Sequence, residues 1–365
     1  MTIAIRPATP HDMENIAQLA DLVFRSRRPG HMAAEFPHLY HPANAHHWYL
    51  AEDGGQIVSI VGAFVWPALL SGARTKVASI GSVATHPAYR RQGLAFRLLA
   101  LADEHLVQEG VRLALISGNL PIYHRWGARS VGQVTWYQLP MGTPDPAYTV
   151  RPLDPQKDAS AVARLYQTRA TRFTRRLSLL RELLRLQPLT TVEQGIPVAL
   201  IAEYQGTPAA YAIVTHRPFQ GREPSRVTEW AGSPAALLAL LHHVPDLSQG
   251  GLEVPVLEDE KALEILLADA PRVRQGPYAW LVKVIDAPGL LRDLEEVWSE
   301  RSDDPVSIES LSPGTYEIRW GSYRWSVDGA TLTEWLFQPQ VVSRPEALST
   351  LWPISPLWPE GLNYI

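Results

Sequence analysis

The chain has no cysteine among its 365 residues, which excludes disulfides, thiolate metal sites and a covalent intermediate on sulfur. Lysine is scarce: it stands only at positions 76, 157, 261 and 283, so arginine carries the positive charge. No apolar run approaches the ~18 residues that a membrane-crossing helix needs. The opening segment, Met1-Thr2-Ile3-Ala4-Ile5-Arg6, lacks a basic stretch followed by an apolar one. The expectation is a cytoplasmic protein with no membrane partner. An excess of positive charge is also missing. The formal net charge is −4 and the pI about 6.3, which argues against nucleic acid as a partner and leaves small cationic substrates open.

What is there begins with a repeat. Ile5-Arg6-Pro7 leads to Asp12 and to Ile16, Leu19 and Leu22 at helical spacing. Val150-Arg151-Pro152 leads likewise to Asp158, Val162, Leu165 and Tyr166. Each reads as a short strand, a turn, an Asp near a helix N-terminus and an amphipathic helix. Further on, Tyr49-Leu50-Ala51-Glu52 and Leu200-Ile201-Ala202-Glu203 both run through glycine into a second apolar segment, as hairpins do. The chain is long enough for two or three domains, and the recurrence predicts two of one α/β architecture. From about residue 281 the texture changes. One amphipathic helix is expected over 286–298, then a strand meander over 316–320, 323–327 and 331–337, giving an α+β third domain. The tail from 351 to 365, rich in Pro and Trp, cannot be regular helix, and its aromatic residues suggest that it lies against a surface of the protein rather than in water. The predicted boundaries are 1–147, 148–280 and 281–365.

The sharpest motif is Arg90-Arg91-Gln92-Gly93-Leu94-Ala95, set between an alternating apolar run at 77–83 and a helical pattern through Leu94, Leu98, Leu99, Leu101, Ala102 and Leu106. Strand, loop and helix start make an anion site: free backbone N–H groups point outward at the positive end of the helix dipole. Gly93 and Ala95 let a phosphate approach the backbone, and two arginines add charge. The spacing Arg-x-x-Gly-x-Ala resembles the pyrophosphate loop of GNAT-superfamily acetyltransferases, which bind acetyl-CoA there. The second copy has Val227-Thr228-Glu229-Trp230-Ala231-Gly232-Ser233-Pro234 at the matching place. It is therefore expected to be degenerate and to bind no nucleotide.

A GNAT domain, a degenerate GNAT domain and a small α+β domain together resemble the Eis-like (enhanced intracellular survival) N-acetyltransferases over essentially the full length. That resemblance implies a sterol-carrier-protein-like third domain, a homo-hexamer, and acetyl transfer to a primary amine of a small molecule such as an aminoglycoside. It assigns cofactor contacts to Ser82, Val83 and Ala84, to the loop Arg90, Arg91, Gln92, Gly93, Leu94 and Ala95, and to Gly118 and Asn119. It makes Tyr123 the general acid and the α-carboxylate of Ile365 the base. The family's run after the tyrosine is Gly-Arg-Phe-Gly-Tyr, against His124-Arg125-Trp126-Gly127-Ala128 here, and its last residue is usually Phe. Acetylation of protein lysines or polyamines is one alternative; a catalytically silent CoA-binding regulator is another.

Two other signals compete. His38, His41, His46 and His47 cluster, yet no carboxylate stands at a fixed ligand spacing from them. No metal is expected, and the loop is read as a wall of the acceptor pocket, with Asp21 and Glu35 as amine contacts. The arginines at 169, 172, 175, 176, 181 and 185 lie among leucines and read as a solvated helix face or a subunit contact rather than a nucleic-acid surface.

Overall fold

The structure is a computed structural model and describes residues 3–27, 30–139, 142–217, 224–244 and 251–365; Met1 and Thr2 of the opening segment lie outside these. The chain divides into two compact units, one of residues 1–131, 279–354 and Ile365, the other of residues 132–278 and 355–364. Contacts do not fall along the boundaries expected from the sequence, 1–147, 148–280 and 281–365. The reason is the path of two strands, given below.

The first unit opens with β1 (Ala4–Pro7), α1 (Met13–Phe24), α2 (Met32–Glu35), β2 (Trp48–Asp53), β3 (Gln56–Leu70), β4 (Ala73–Thr85), α3 (Leu94–Gln108), β5 (Leu113–Ile116), α4 (Pro121–Arg125) and β6 (Arg129–Ser130). Strands β1 to β4 are antiparallel, and β5 runs parallel to β4 from Val77↔Leu113 to Ile80↔Ile116. Helix α3 buries Leu94, Leu98, Leu99, Ala102 and Leu106 against Tyr49, Val61, Ala78 and Ile80 of the sheet. That is the apolar stripe its periodicity announces.

The second unit holds β7 (Val134–Gln138), β8 (Tyr148–Pro152), α5 (Ala159–Tyr166), β9 (Arg172–Phe173), α6 (Leu177–Leu186), α7 (Pro188–Val192), β10 (Ile196–Tyr204), β11 (Thr207–His216), β12 (Ser225–Gly232), α8 (Pro234–Leu241), β13 (Leu252–Leu257), α9 (Lys261–Leu266) and β14 (Arg272–Gly276). Its sheet runs β14-β7-β13-β12-β11-β10-β8. The repeat extends to side chains. Arg6 donates to Asp12 at 2.8 and 2.9 Å and to Glu52 at 2.8 Å, and Arg151 donates to Asp158 at 2.7 and 2.9 Å and to Glu203 at 2.7 Å. In each unit one arginine pins the first strand to the start of its helix and to the hairpin.

The chain then returns to the first unit through β15 (Leu281–Val284), α10 (Ala287–Asp293), α11 (Glu295–Ser299), β16 (Val306–Ser312), β17 (Thr315–Trp320), β18 (Tyr323–Asp328) and α12 (Gly329–Phe337). Strand β15 pairs with β5 and with β6, so the first sheet reads β1-β2-β3-β4-β5-β15-β6. In the second sheet β7 occupies the corresponding place, between β13 and β14. Each sheet thus takes its penultimate strand from the segment that follows the other sheet in sequence.

Two expectations are corrected. The helix expected over 286–298 is two helices, interrupted at Leu294 with φ −101° and ψ 13°. Residues 331–337 lie in α12 rather than in a strand, because Asp328 caps that helix by accepting from the Thr331 N–H at 2.6 Å. The meander's third strand is instead β16, which pairs antiparallel with β17. The tail is irregular, as its prolines require, and its apolar side chains are packed away from water: Trp352 and Ile354 in the first unit, Leu357 and Leu362 in the second.

Candidate active site

The site is built on a break in β4. Gly81 pairs with Gly62 and Ala84 with Ile60, so the single residue Val61 of β3 faces both Ser82 and Val83. That is a β-bulge, and Ser82 takes the left-handed φ of +50°. The parallel pairing of β4 with β5 ends just before it, at Ile80↔Ile116. Past this point backbone groups of the predicted cofactor strand, Ser82-Val83-Ala84, are released from the β5 ladder.

The predicted phosphate loop follows on the same strand. His86 caps the turn Pro87–Tyr89, and the Tyr89 hydroxyl donates to Asp53 at 2.9 Å. Arg91 and Gly93 both have positive φ, +65° and +73°. Arg90, Arg91, Gln92 and Gly93 are exposed, and Leu94 turns inward as α3 begins. The helix ladder includes a bond from the Arg97 N–H to the Gly93 carbonyl at 3.1 Å, so the N–H groups of the preceding turn face out of the helix end. A Cβ on Gly93 would meet nothing within 4 Å, so the approach from outside is open.

Gly118 and Asn119 follow β5, Gly118 at φ +89°, and the Asn119 side-chain oxygen contacts His124 Nε2. Tyr123 lies on α4, 6% exposed, in one apolar cluster with Val83 and Tyr89 of the β4 edge and loop. A Cβ built on Gly118 lies 4.0 Å from its ring. Burial pushes the Tyr123 hydroxyl above the usual phenol range, which keeps the proton on the oxygen at neutral pH. Ile365 sits at the bulge: a Cβ on Gly81 would lie 3.0 Å from Ile365 Cγ1 and 3.2 Å from its backbone carbonyl carbon. The structure therefore brings Ile365 to the strand that carries Ser82, and groups Tyr123 with the strand's next residue.

Two participants escaped the sequence reading. The Tyr40 hydroxyl donates to Ser82 Oγ at 2.9 Å, across 42 positions that no local pattern connects. Gly81 was legible in principle, since an isolated glycine inside a strand pattern signals a bulge or a close backbone approach. Two suggested amine contacts are instead engaged elsewhere. Asp21 accepts from the Met32 N–H at 2.7 Å and lies 3.2 Å from His31 Nδ1. Glu35 is paired with Arg25 at 2.9 Å.

Residues 4–131 match the family model described as "Acetyltransferase (GNAT) domain". The chain carries a GNAT acetyltransferase domain. It is an N-acetyltransferase by that domain, and the bulged strand, the loop at 90–95 and Tyr123 all lie inside the match. The whole chain has the fold of several solved proteins. A GCN5-related N-acetyltransferase from Anabaena variabilis superposes with a TM-score of 0.69 at 14% identity, covering 98% of this chain and 99% of that one. Another from Kribbella flavida gives 0.66 at 14%, covering 100% and 98%. Eis1 from Mycobacterium abscessus gives 0.61 at 16%, covering 91% and 88%. No curated protein matches the sequence.

The second unit, beyond the GNAT match, has no such loop among its described residues. Pro234 stands in the first turn of α8, removing one N–H, and the parallel pairing of β12 with β13 covers only Ser225↔Leu252 and Arg226↔Glu253. Where those strands part, a cavity of about 370 Å³ is lined by Trp230, Glu229, Arg169 and Trp358. Arg175 is bidentate to Glu229 at 2.7 and 2.6 Å, Arg169 pairs with Glu260 at 2.6 Å, and Glu229 is buried while Glu260 is half-buried. These two arginines are internal ties of the second unit, not the solvated face or subunit contact expected; the helix of that segment is confined to α6. Of the histidine cluster, His38 is buried against Phe64 and Trp66, while His46 and His47 meet Glu109 at the end of α3.

Proposed function

We propose that the chain is an Eis-like enzyme that transfers acetyl from acetyl-CoA to a primary amine of a small molecule by direct attack. The diphosphate lies on the N–H groups at Gly93, Leu94 and Ala95, beside Arg90, Arg91 and Gln92, and Gly118 and Asn119 contact the cofactor further on. The thioester carbonyl faces the bulge at Ser82, Val83 and Ala84, whose N–H groups stabilise the tetrahedral oxyanion. Tyr123 then protonates the departing thiolate: a thiol titrates near ~8.5 and a phenol near or above ~10, so the transfer is workable. The α-carboxylate of Ile365 removes the amine proton, directly or through water. No covalent intermediate is needed, in keeping with the absence of cysteine.

The observation that carries this reading is the position of Ile365 against Gly81, one residue from the bulge and in the same unit as Tyr123. In this reading the second unit binds no nucleotide, the 281–354 segment is the sterol-carrier-protein-like part, no metal takes part in the chemistry, and the enzyme works in the cytoplasm as a hexamer. The test is a thiol-release assay with acetyl-CoA against aminoglycosides, polyamines, arylamines and lysine peptides. Tyr123→Phe and a variant with one residue added after Ile365 should each lower kcat at least tenfold while acetyl-CoA affinity holds. Unchanged kcat in either removes that group from the mechanism, and coenzyme A binding without turnover on any amine points to the silent regulator instead.

A further inference from the structure

Away from the acetyl-transfer groove, the first unit gathers three side chains of metal-ligating type. His46 and His47 end the short turn Pro42–His47, and Glu109 caps the C-terminus of α3. One ligand atom from each lies within 4.8 Å of the other two. Asn44 fixes the chemistry of His47. Its amide nitrogen donates to the Leu39 carbonyl at 2.9 Å and to the Ala63 carbonyl at 3.0 Å, so its oxygen is the atom that faces His47 Nδ1, at 2.9 Å. Nδ1 therefore carries a hydrogen. In the neutral ring Nε2 is then a lone pair, and it faces Glu109 Oε2 at 2.8 Å. Two acceptors at that separation need a cation between them. A proton serves those two atoms alone and leaves out the His46 ring, whose centroid is 3.9 Å from that of His47. A metal ion engages all three.

We propose that His46, His47 and Glu109 bind a divalent transition-metal ion of the zinc type, with water as the fourth ligand. Two imidazoles and a carboxylate are a donor set that zinc takes. Asn44 on Nδ1 is the outer hydrogen bond that sets the tautomer and orientation of a ligating ring. The C-terminal end of a 15-residue helix also favours a cation. Zinc–ligand bonds of about 2.0–2.2 Å at tetrahedral angles hold ligand atoms about 3.3 Å apart, so the Glu109 carboxylate must draw back from His47 by roughly half an ångström. Glu109 and His46 are both exposed and free to adjust. Lys76 Nζ donates to the Glu109 backbone carbonyl at 2.9 Å, a nearby positive charge that holds the affinity down. The ion is a clamp, not a reagent. It ties the turn at 42–47 to α3, and through Asn44 on the Leu39 carbonyl it steadies the segment whose Tyr40 reaches Ser82.

The experiment is calorimetry of the full chain, stripped with a chelator and titrated with zinc chloride, and in parallel cobalt(II) absorption to read coordination number. The expected result is one saturable equivalent with a four-coordinate cobalt spectrum. Glu109→Gln and His46→Ala should each weaken it at least about tenfold, while His243→Ala, in the other unit, leaves it unchanged. Circular dichroism of the two surface variants should match the parent. Absence of saturable binding, or affinity in both variants equal to the parent's, overturns the proposal. So does nitrogen NMR of the zinc-saturated protein in which His47 Nε2 still carries a proton.

Discussion

His38 shows how much one side chain can couple this fold to pH. It is 6% exposed, its ring centroid 5.1 Å from Phe64 and 5.8 Å from Trp66, and neither ring nitrogen has a hydrogen-bond partner among the described residues. Burial lowers its pKa to about 4, whereas the unfolded chain titrates near ~6.5. Between those values the unfolded state takes up a proton that the folded state refuses. The His38 contribution is therefore complete above pH ~6.5 and is lost as pH falls toward about 4, at no more than about 1.4 kcal/mol per pH unit. His38→Phe should flatten this stretch, so that urea midpoints at pH 7.5 and pH 5 lie closer together than in the parent; an unaltered pH difference contradicts it. Gly81 acts by lacking a side chain. Gly81→Ala would push a methyl to 3.0 Å from Ile365 Cγ1, displacing Ile365 and leaving the 90–95 loop alone. It should lower kcat several-fold with little change in acetyl-CoA affinity, and a fall in affinity instead would mean that the bulge itself had been disturbed.

Among the elements, those with a strong local pattern were legible in the sequence. The 90–95 loop was read from six residues because its strand, its glycine and the apolar stripe of α3 are all contiguous. The paired hairpins were read from their glycine turns, Gly54-Gly55 and Gly206, all at positive φ. Misreadings came where two local signals conflict. Asp328-Gly329 fits a strand turn as well as it fits the helix cap it is, and Leu294 continues an apolar helical period across a real break. What no local signal carries is the meeting of distant parts: Ile365 with Gly81, Tyr40 with Ser82, and Glu109 with His47 across 62 positions. The 90–95 loop makes its own prediction. In Gly93→Ala the new methyl meets nothing in the protein, and the positive φ costs about 1 kcal/mol. The methyl would, however, occupy the approach of the diphosphate in the proposed binding mode. Calorimetry with coenzyme A should show at least tenfold weaker binding in a folded protein, whereas unchanged binding would move the diphosphate elsewhere.

For the whole molecule, the decisive feature is that neither sheet is completed by its own contiguous segment. The sequence boundary at 147 looks natural because the repeat restarts at Val150, but it assigns β7 to the wrong sheet and leaves β15 out of the first one. Leu281 pairs with Ser130 and Val282 with Arg129 on one side of β15, and Leu281 to Val284 pair with Ile116 to Leu113 on the other. Without β15, β5 faces water along one edge and β6 loses its one partner among the described residues of that sheet. A fragment of residues 1–147 should therefore aggregate or unfold without cooperativity. Because β15 is antiparallel to β6 with Leu281 opposite Ser130, the ends at Val131 and Ala279 lie a hairpin's length apart, and a short glycine-rich turn can join them. Residues 1–131 fused in this way to 279–354 keep β1 to β6 and β15 and all of the 90–95 loop, and lose Ile365. That protein should be soluble, unfold in one cooperative step and bind coenzyme A, yet turn over at least tenfold more slowly than the full chain. Cooperative unfolding of the 1–147 fragment would mean that the exchanged strand is dispensable to the sheet, and full turnover by the fused protein would mean that the carboxylate of Ile365 is not the base.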